Sequence, residues 1–225
     1  MISTLGILIG VSLLAGVQIA TDSLVNGMQE TVNLRYGNGD IIISKGVYQP
    51  EFFNHSLFEN LENDTDLKPY IDGIAPRITS QVFISSLTTK QTESFVTIIG
   101  LNESLDNPFG DLIPDDSYEN NDFNFTALTD VQCIVGKELG EAVVEFDIEG
   151  TGRNEVISFP DSTQSMIMGF IDAIGNASTT ALVVKGIAKV EGKGVLEIGY
   201  TIFTKIQYLQ TIYNTNGSKN INTLL

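Results

Sequence analysis

The chain has 225 residues, enough for one large domain or two small ones with a real core. Its 28 acidic and 12 basic residues give a formal net charge of -16, which excludes a phosphate-backbone partner, because nucleic-acid binding needs a basic face. The single cysteine, Cys133, excludes an intrachain disulfide and, set in the apolar run VQCIVG, reads as a buried structural thiol.

The first element in chain order is a helix. Leu5 to Ala20 is a sixteen-residue run in which only Ser12 and Gln18 are clearly polar, close to the roughly 20 residues that cross hydrocarbon. A helix apolar all round needs either lipid or complete enclosure, and a membrane helix is the expectation. No Lys or Arg precedes Arg35, so the run has neither the basic n-region of a secretory signal nor a positive-inside cue. Gly6 and Gly10 form a G-x-x-x-G pattern, the spacing that lets membrane helices approach closely. Beyond Ala20 the periodicity continues, with Leu24, Met28 and Val32 four residues apart. This predicts an amphipathic stalk that packs through those three residues and is stopped by Gly37 and Gly39 of YGNGD.

The remainder predicts strands with a few helices. DIIIS is a short β-branched run, and PEFFNHSLFENLEN is a helix with Phe53, Leu57 and Leu61 at four-residue steps. IDGIAPRITSQVFIS and SFVTIIGL are rich in Val, Ile and Thr and read as strands. LNESLDNPFGDLIPDDSYENNDFNF has the Pro, Gly, Asn and Asp density of a long irregular connection. VQCIVGKELGEAV reads as a strand and short helix, AVVEFDIEG and NEVISFP as an alternating pair, and TALVVKGIAKV and GVLEIGYTIF as strands. TIFTKIQYLQTIYN is an amphipathic helix with Ile206, Leu209 and Tyr213 on one side, and INTLL starts a last strand. This order implies an α+β fold with mixed sheets and helices on one face.

Acidic charge is concentrated in the middle. Residues 101–172 carry a balance of -14, residues 1–100 carry -5 and residues 173–225 carry +3. The middle therefore reads as an acidic module set into something more neutral.

No catalytic constellation is legible. His55 is the lone histidine and has no Cys near it in sequence, so a metal site or a Ser-His-Asp arrangement lacks its central part, and it reads as a solvated helix residue. Asp115, Asp116, Glu119 and Asp122 in PDDSYENND supply oxygen ligands without the fixed spacing of a calcium loop and read as an exposed acidic loop. GNG and GKG do not follow the strand, Gly-rich loop and helix order of a phosphate site. No enzyme activity, cofactor or metal is expected. N-x-[ST] sequons at Asn54, Asn63, Asn102, Asn124, Asn176 and Asn216 are candidate glycosylation sites, in keeping with an outside location.

Three features occur in order: an apolar helix continuing as NGMQETV into GDIIIS, SFVTIIGLNES leading to CIVGKELGE, and LVVKGIAKVEGKG before YTIFTKIQYLQTIYN. That series resembles the extracytoplasmic domain, with the first transmembrane helix, of MacB/FtsX/LolE-type ABC transporter permeases. The resemblance runs from about Leu5 to Leu225. It implies a membrane helix and stalk over 1–35, a porter-like α/β subdomain from both chain ends (36–100 and 179–225), and an inserted, mostly β, acidic subdomain over 101–178. It also implies a cytoplasmic ABC ATPase as partner, a homo- or heterodimer of permeases, and a location in the cell membrane with the bulk of the chain outside. The domain would couple ATP hydrolysis mechanically to export or to activation of a partner. Family members carry three further membrane helices, through which the ATPase would be engaged. Two other expectations stand beside it: a free-standing anchored or secreted binding protein, and an exported hydrolase using two carboxylates of unequal proton affinity.

Overall fold

The computed structural model describes residues 16–19, 21–24, 41–45, 51–118, 120–147, 154–156, 164–193, 200–213 and 220–225. Eleven strands are assigned: β1 (Ile43–Ser44), β2 (Pro76–Ser86), β3 (Thr92–Leu101), β4 (Leu112–Pro114), β5 (Gln132–Gly136), β6 (Glu145–Asp147), β7 (Asn154–Val156), β8 (Ser165–Ile171), β9 (Ala177–Gly192), β10 (Thr201–Lys205) and β11 (Thr223–Leu224). Short helices accompany them, among them α1 (Ser56–Glu62), α2 (Glu103–Asp106), α3 (Lys137–Leu139) and α4 (Ile206–Ile212). The expected α+β class is what is observed.

One mixed sheet takes the order β1-β11-β2-β3-β10-β5-β9-β4, and β6 pairs separately with β7. The pairs β10 with β3 and β5 with β9 are parallel, and the other pairs in this sheet are antiparallel. Strand β8 pairs with β2 on one edge and β9 on the other. Six strands, β2, β3, β10, β5, β9 and β8, therefore close into a ring that has no free edge, the arrangement that removes the usual liability of unpaired strand edges.

Side-chain alternation then assigns the two faces. In β2, Ile78, Ser80, Val82, Ile84 and Ser86 are all buried, whereas Phe83 between them is exposed. Pairing carries the same face around the ring, through Val82 opposite Val96, Ile98 opposite Ile202, Ile202 opposite Val135, and Met166 opposite Leu182. These residues belong to one core cluster, which α1 joins through Phe58 and α4 through Ile206, Tyr208 and Leu209. A Cβ on Gly100 would stand 2.8 Å from Leu209 Cδ1, so a glycine in β3 lets α4 lie close against the strand. The opposite face of β3, β10 and β5 presents Ile99, Phe203 and Ile134, which Phe125 and Leu128 cover.

The predicted helix over 50–63 is realised as α1, and the pattern over 201–214 divides, with TIFTK in β10 and only IQYLQTI helical. The residues read as one irregular connection form α2, a 3-10 turn over Asn107–Phe109 and strand β4, with Phe125 at their end buried against the outer face. Strand β8 has no counterpart among the predicted elements.

Candidate functional site

Arg77 at the start of β2 is 3% exposed and Asp106 at the end of α2 is fully buried. Arg77 donates to Asp106 Oδ1 through Nε at 2.9 Å and also through Nη2, while Oδ2 has no partner. The pair anchors α2 to the sheet and fixes Glu103 at the other end of that helix. Thr126 Oγ1 donates to Glu103 Oε1 at 3.2 Å, and Lys205 Nζ donates to the Thr126 carbonyl at 2.9 Å. Glu103 stands between two hollows of about 570 and 370 Å³, which share Leu101, Glu103, Asn107 and Phe125 as walls. Lys205 and Asp130 complete the larger one, and Asp111 and Lys193 the smaller. Since these groups are scattered between Leu101 and Lys205, no local motif marks them.

In the acidic loop Asp116 and Asp122 are exposed as expected, and Asp115 is the correction. Asp115 is only 4% exposed, and its Oδ2 lies 3.0 Å from Lys137 Nζ. The Ser117 amide donates to Asp115 Oδ1 at 2.9 Å. Burial alone would raise the Asp115 pKa, but the bonds from Ser117 and Lys137 outweigh it and hold the carboxyl below the ordinary carboxylate range. Because the folded-state value is depressed, this group's stabilisation is present above the unfolded pKa and disappears as pH falls through the folded one. Asp115→Asn is therefore expected to flatten the acid limb of a melting temperature against pH curve between about pH 5 and 2. An unchanged acid limb would remove Asp115 from the acid response. Among the described residues no cluster of three or more His, Cys, Asp or Glu side chains could hold a metal.

His55 is likewise less solvated than expected. Its side chain is 23% exposed, it occupies the N-cap of α1, and its ring stands 5.2 Å from that of Phe58. Cys133 is buried as expected, with no exposed surface and a thiol whose pKa burial pushes far up. It should resist maleimide in the folded chain and react fully in denaturant; rapid labelling of native protein would contradict this packing.

Of the residues singled out in the sequence, Gly6, Gly10, Met28, Val32, Gly37, Gly39, Glu119 and Asn216 lie outside the described residues. Residues 16–19 and 21–24 are helical, and Leu24 there is 62% exposed. Among the described residues no helix is long and apolar enough to cross a membrane. Asn54, Asn63, Asn124 and Asn176 are exposed and Asn102 is half-buried. Several of these side chains brace local turns: Asn54 Oδ1 accepts from the Ser56 amide at 3.0 Å, and Asn124 Oδ1 from the Thr126 amide at 3.0 Å. Asn102 and Asn124 meet the region of α2, one beside each hollow.

The first and last strands of the domain are neighbours. β1 pairs antiparallel with β11, Ile43 opposite Leu224 and Ser44 opposite Thr223, and β11 pairs in turn with β2. Asn222 holds this seam. Its Oδ1 accepts from the Thr79 amide at 2.7 Å and its Nδ2 donates to the Thr79 carbonyl at 2.6 Å, so one side chain satisfies both backbone groups of a strand residue. The antiparallel sense means that the chain leaves β11 toward the side from which it came into β1.

No protein-family profile matches the sequence, and no curated protein matches it. Solved structures do. The extracellular domain of the noncanonic ABC-type transporter YknZ from Gram-positive bacteria is 13% identical, with a TM-score of 0.46 over 82% of this chain and 81% of that one. The periplasmic region of MacB from Actinobacillus actinomycetemcomitans is 10% identical, with a TM-score of 0.42 over 81% of this chain and 71% of that one.

Proposed function

We propose that the chain is the extracytoplasmic domain of an ABC transporter permease subunit, which couples ATP hydrolysis by a separate cytoplasmic ATPase to export or to activation of a partner outside the membrane. The observation that carries this reading is the antiparallel pairing of β1 with β11. A domain inserted between two membrane helices must return the chain to the surface it left, and this pairing sends both flanks the same way. In this reading residues 1–35 form the membrane helix and stalk, with Gly6 and Gly10 at a helix contact and Leu24, Met28 and Val32 as the stalk's packing face. Residues 36–100 and 179–225 form the porter-like part and 101–178 the insert. The permease works as a dimer, and the sequon asparagines carry sugar where the host supplies it.

Tyr70 is 85% exposed and Cys133 is buried, so Tyr70→Cys gives one reactive thiol. In intact producing cells this variant should label with a membrane-impermeant maleimide, and the tagged chain should bring an ABC ATPase out of detergent-solubilised membranes. Labelling only after lysis would place the domain on the wrong side of the membrane and end the proposal. Labelling without an ATPase would favour the free-standing anchored binding protein. Serine at Leu24, Met28 and Val32 together should uncouple ATPase activity from the outer domain.

A further inference from the structure

The smaller hollow contains one buried polar atom that the fold leaves unused, Glu103 Oε2, and a lysine with no carboxylate in contact. Lys193, just beyond β9, is 4% exposed and lines the cavity. Among the described residues no carboxylate lies within 4.0 Å of its ammonium. A buried ammonium that touches no counter-charge is costly to keep. Burial draws its pKa down and Arg77 adds to that, while the carboxylates of Asp106, Asp111 and Glu103 oppose it from a distance. Glu103 has the complementary deficit: Oε1 is engaged by Thr126, and Oε2 is buried with no donor. The rest of the wall mixes apolar Leu101, Leu112, Phe123 and Phe125 with the amides Asn107 and Asn124, and Asp111 stands beside Lys193.

We infer that this hollow binds a free apolar α-amino acid, with its carboxylate on Lys193, its ammonium toward Glu103 and Asp111, and its side chain against Phe123 and Phe125. Charge selects this class. Arg77 and Asp106 neutralise one another, leaving one positive and two negative groups on the wall. A simple anion would deepen the negative imbalance, and a simple cation would meet the buried ammonium. A zwitterion adds no net charge and supplies the counter-group that each side lacks. A volume of about 370 Å³ lies at the small end of ligand cavities, suited to a single amino acid.

The test is calorimetric titration of the purified full chain with L-leucine, beside N-acetyl-leucine, which lacks the ammonium, and leucinamide, which lacks the carboxylate. Leucine should bind, and each analogue should bind at least about tenfold more weakly. Lys193→Met and Glu103→Gln should each weaken leucine binding by about tenfold or more, while Lys68→Met, at an exposed site, leaves it unchanged. Lys193→Met removes a buried charge, so its melting temperature should hold or rise while binding falls, a combination that a merely structural lysine would not give. Should that variant fail to fold, Glu103→Gln decides. No binding of leucine at millimolar concentration, equal binding of either analogue, or wild-type affinity in the folded Lys193→Met variant overturns the inference. The titration needs no ATPase or membrane, so its outcome is separate from that of the permease reading.

Discussion

Replacing Asp106 with alanine is expected to cost about 3–5 kcal/mol, among the largest effects of any single change in this chain. Arg77 is almost fully enclosed, and the charge-assisted bonds to Asp106 Oδ1 are its compensation. Removing the carboxylate leaves a buried guanidinium without its counter-charge and with the like-charged Lys193 in the neighbourhood. Arg77→Met alone should be destabilising for the converse reason. The double variant Arg77→Met with Asp106→Leu should recover most of the loss, because a well-packed apolar pair dispenses with the desolvation cost of both ions. Denaturant midpoints for the two single variants and the double variant measure this. Single variants within about 1 kcal/mol of the parent would show that the pair is solvated.

Asn121→Ala is the second large expected effect, at about 3 kcal/mol. Asn121 is 7% exposed, and its Nδ2 donates to the Ile187 carbonyl at 2.7 Å and the Asp115 carbonyl at 3.0 Å, while its Oδ1 accepts from the Ile187 amide at 2.9 Å. Alanine leaves the Ile187 amide without this acceptor in the interior, while the Ile187 and Asp115 carbonyls keep only the amides of Asp115 and Tyr118. The neighbouring Gly186 admits Phe123 so closely that a Cβ there would fall 2.2 Å from the ring, so the loop has no nearby position in which to compensate. Hydrogen exchange gives a local readout: the Ile187 amide should lose protection before the ring strands do. Unchanged protection at Ile187 would mean that the loop is held mainly by Phe125 and Leu128.

Where hydrophobic pattern and secondary structure share a period, the sequence was readable. Strand β2 alternates strictly, and Ile206, Leu209 and Tyr213 fall on the buried side of α4 and its end as spacing predicts. β8 was missed for a physical reason. Met166, Met168 and Phe170 face inward, but Ile167 and Ile171 on the outer face are also apolar, so no polar alternation marks SMIMGFI as a strand. The acidic loop misled because composition counts Asp115 as surface charge, and only the tertiary contact with Lys137 explains its burial. The α2 hollows were illegible altogether. Glu103, Asp111, Thr126 and Lys193 meet only because the outer face of the ring must be covered by the chain between β3 and β5.

The seam between β1 and β11 also decides how the domain would yield under load. The outer ends of these strands, at Ile43 and Leu224, lie side by side at one edge of the sheet. Tension drawing the two flanks apart therefore acts on one hydrogen-bonded pair at a time, like opening a zipper, and each pair fails alone at low force. The ring resists differently, because its strands are bonded along both edges and cannot be peeled from a free end. A pull delivered through the flanks would detach β1 first, pass next to the Asn222 clasp on Thr79, and leave the six-stranded body intact. The domain thus has a built-in mechanical fuse at its base, two residue pairs long.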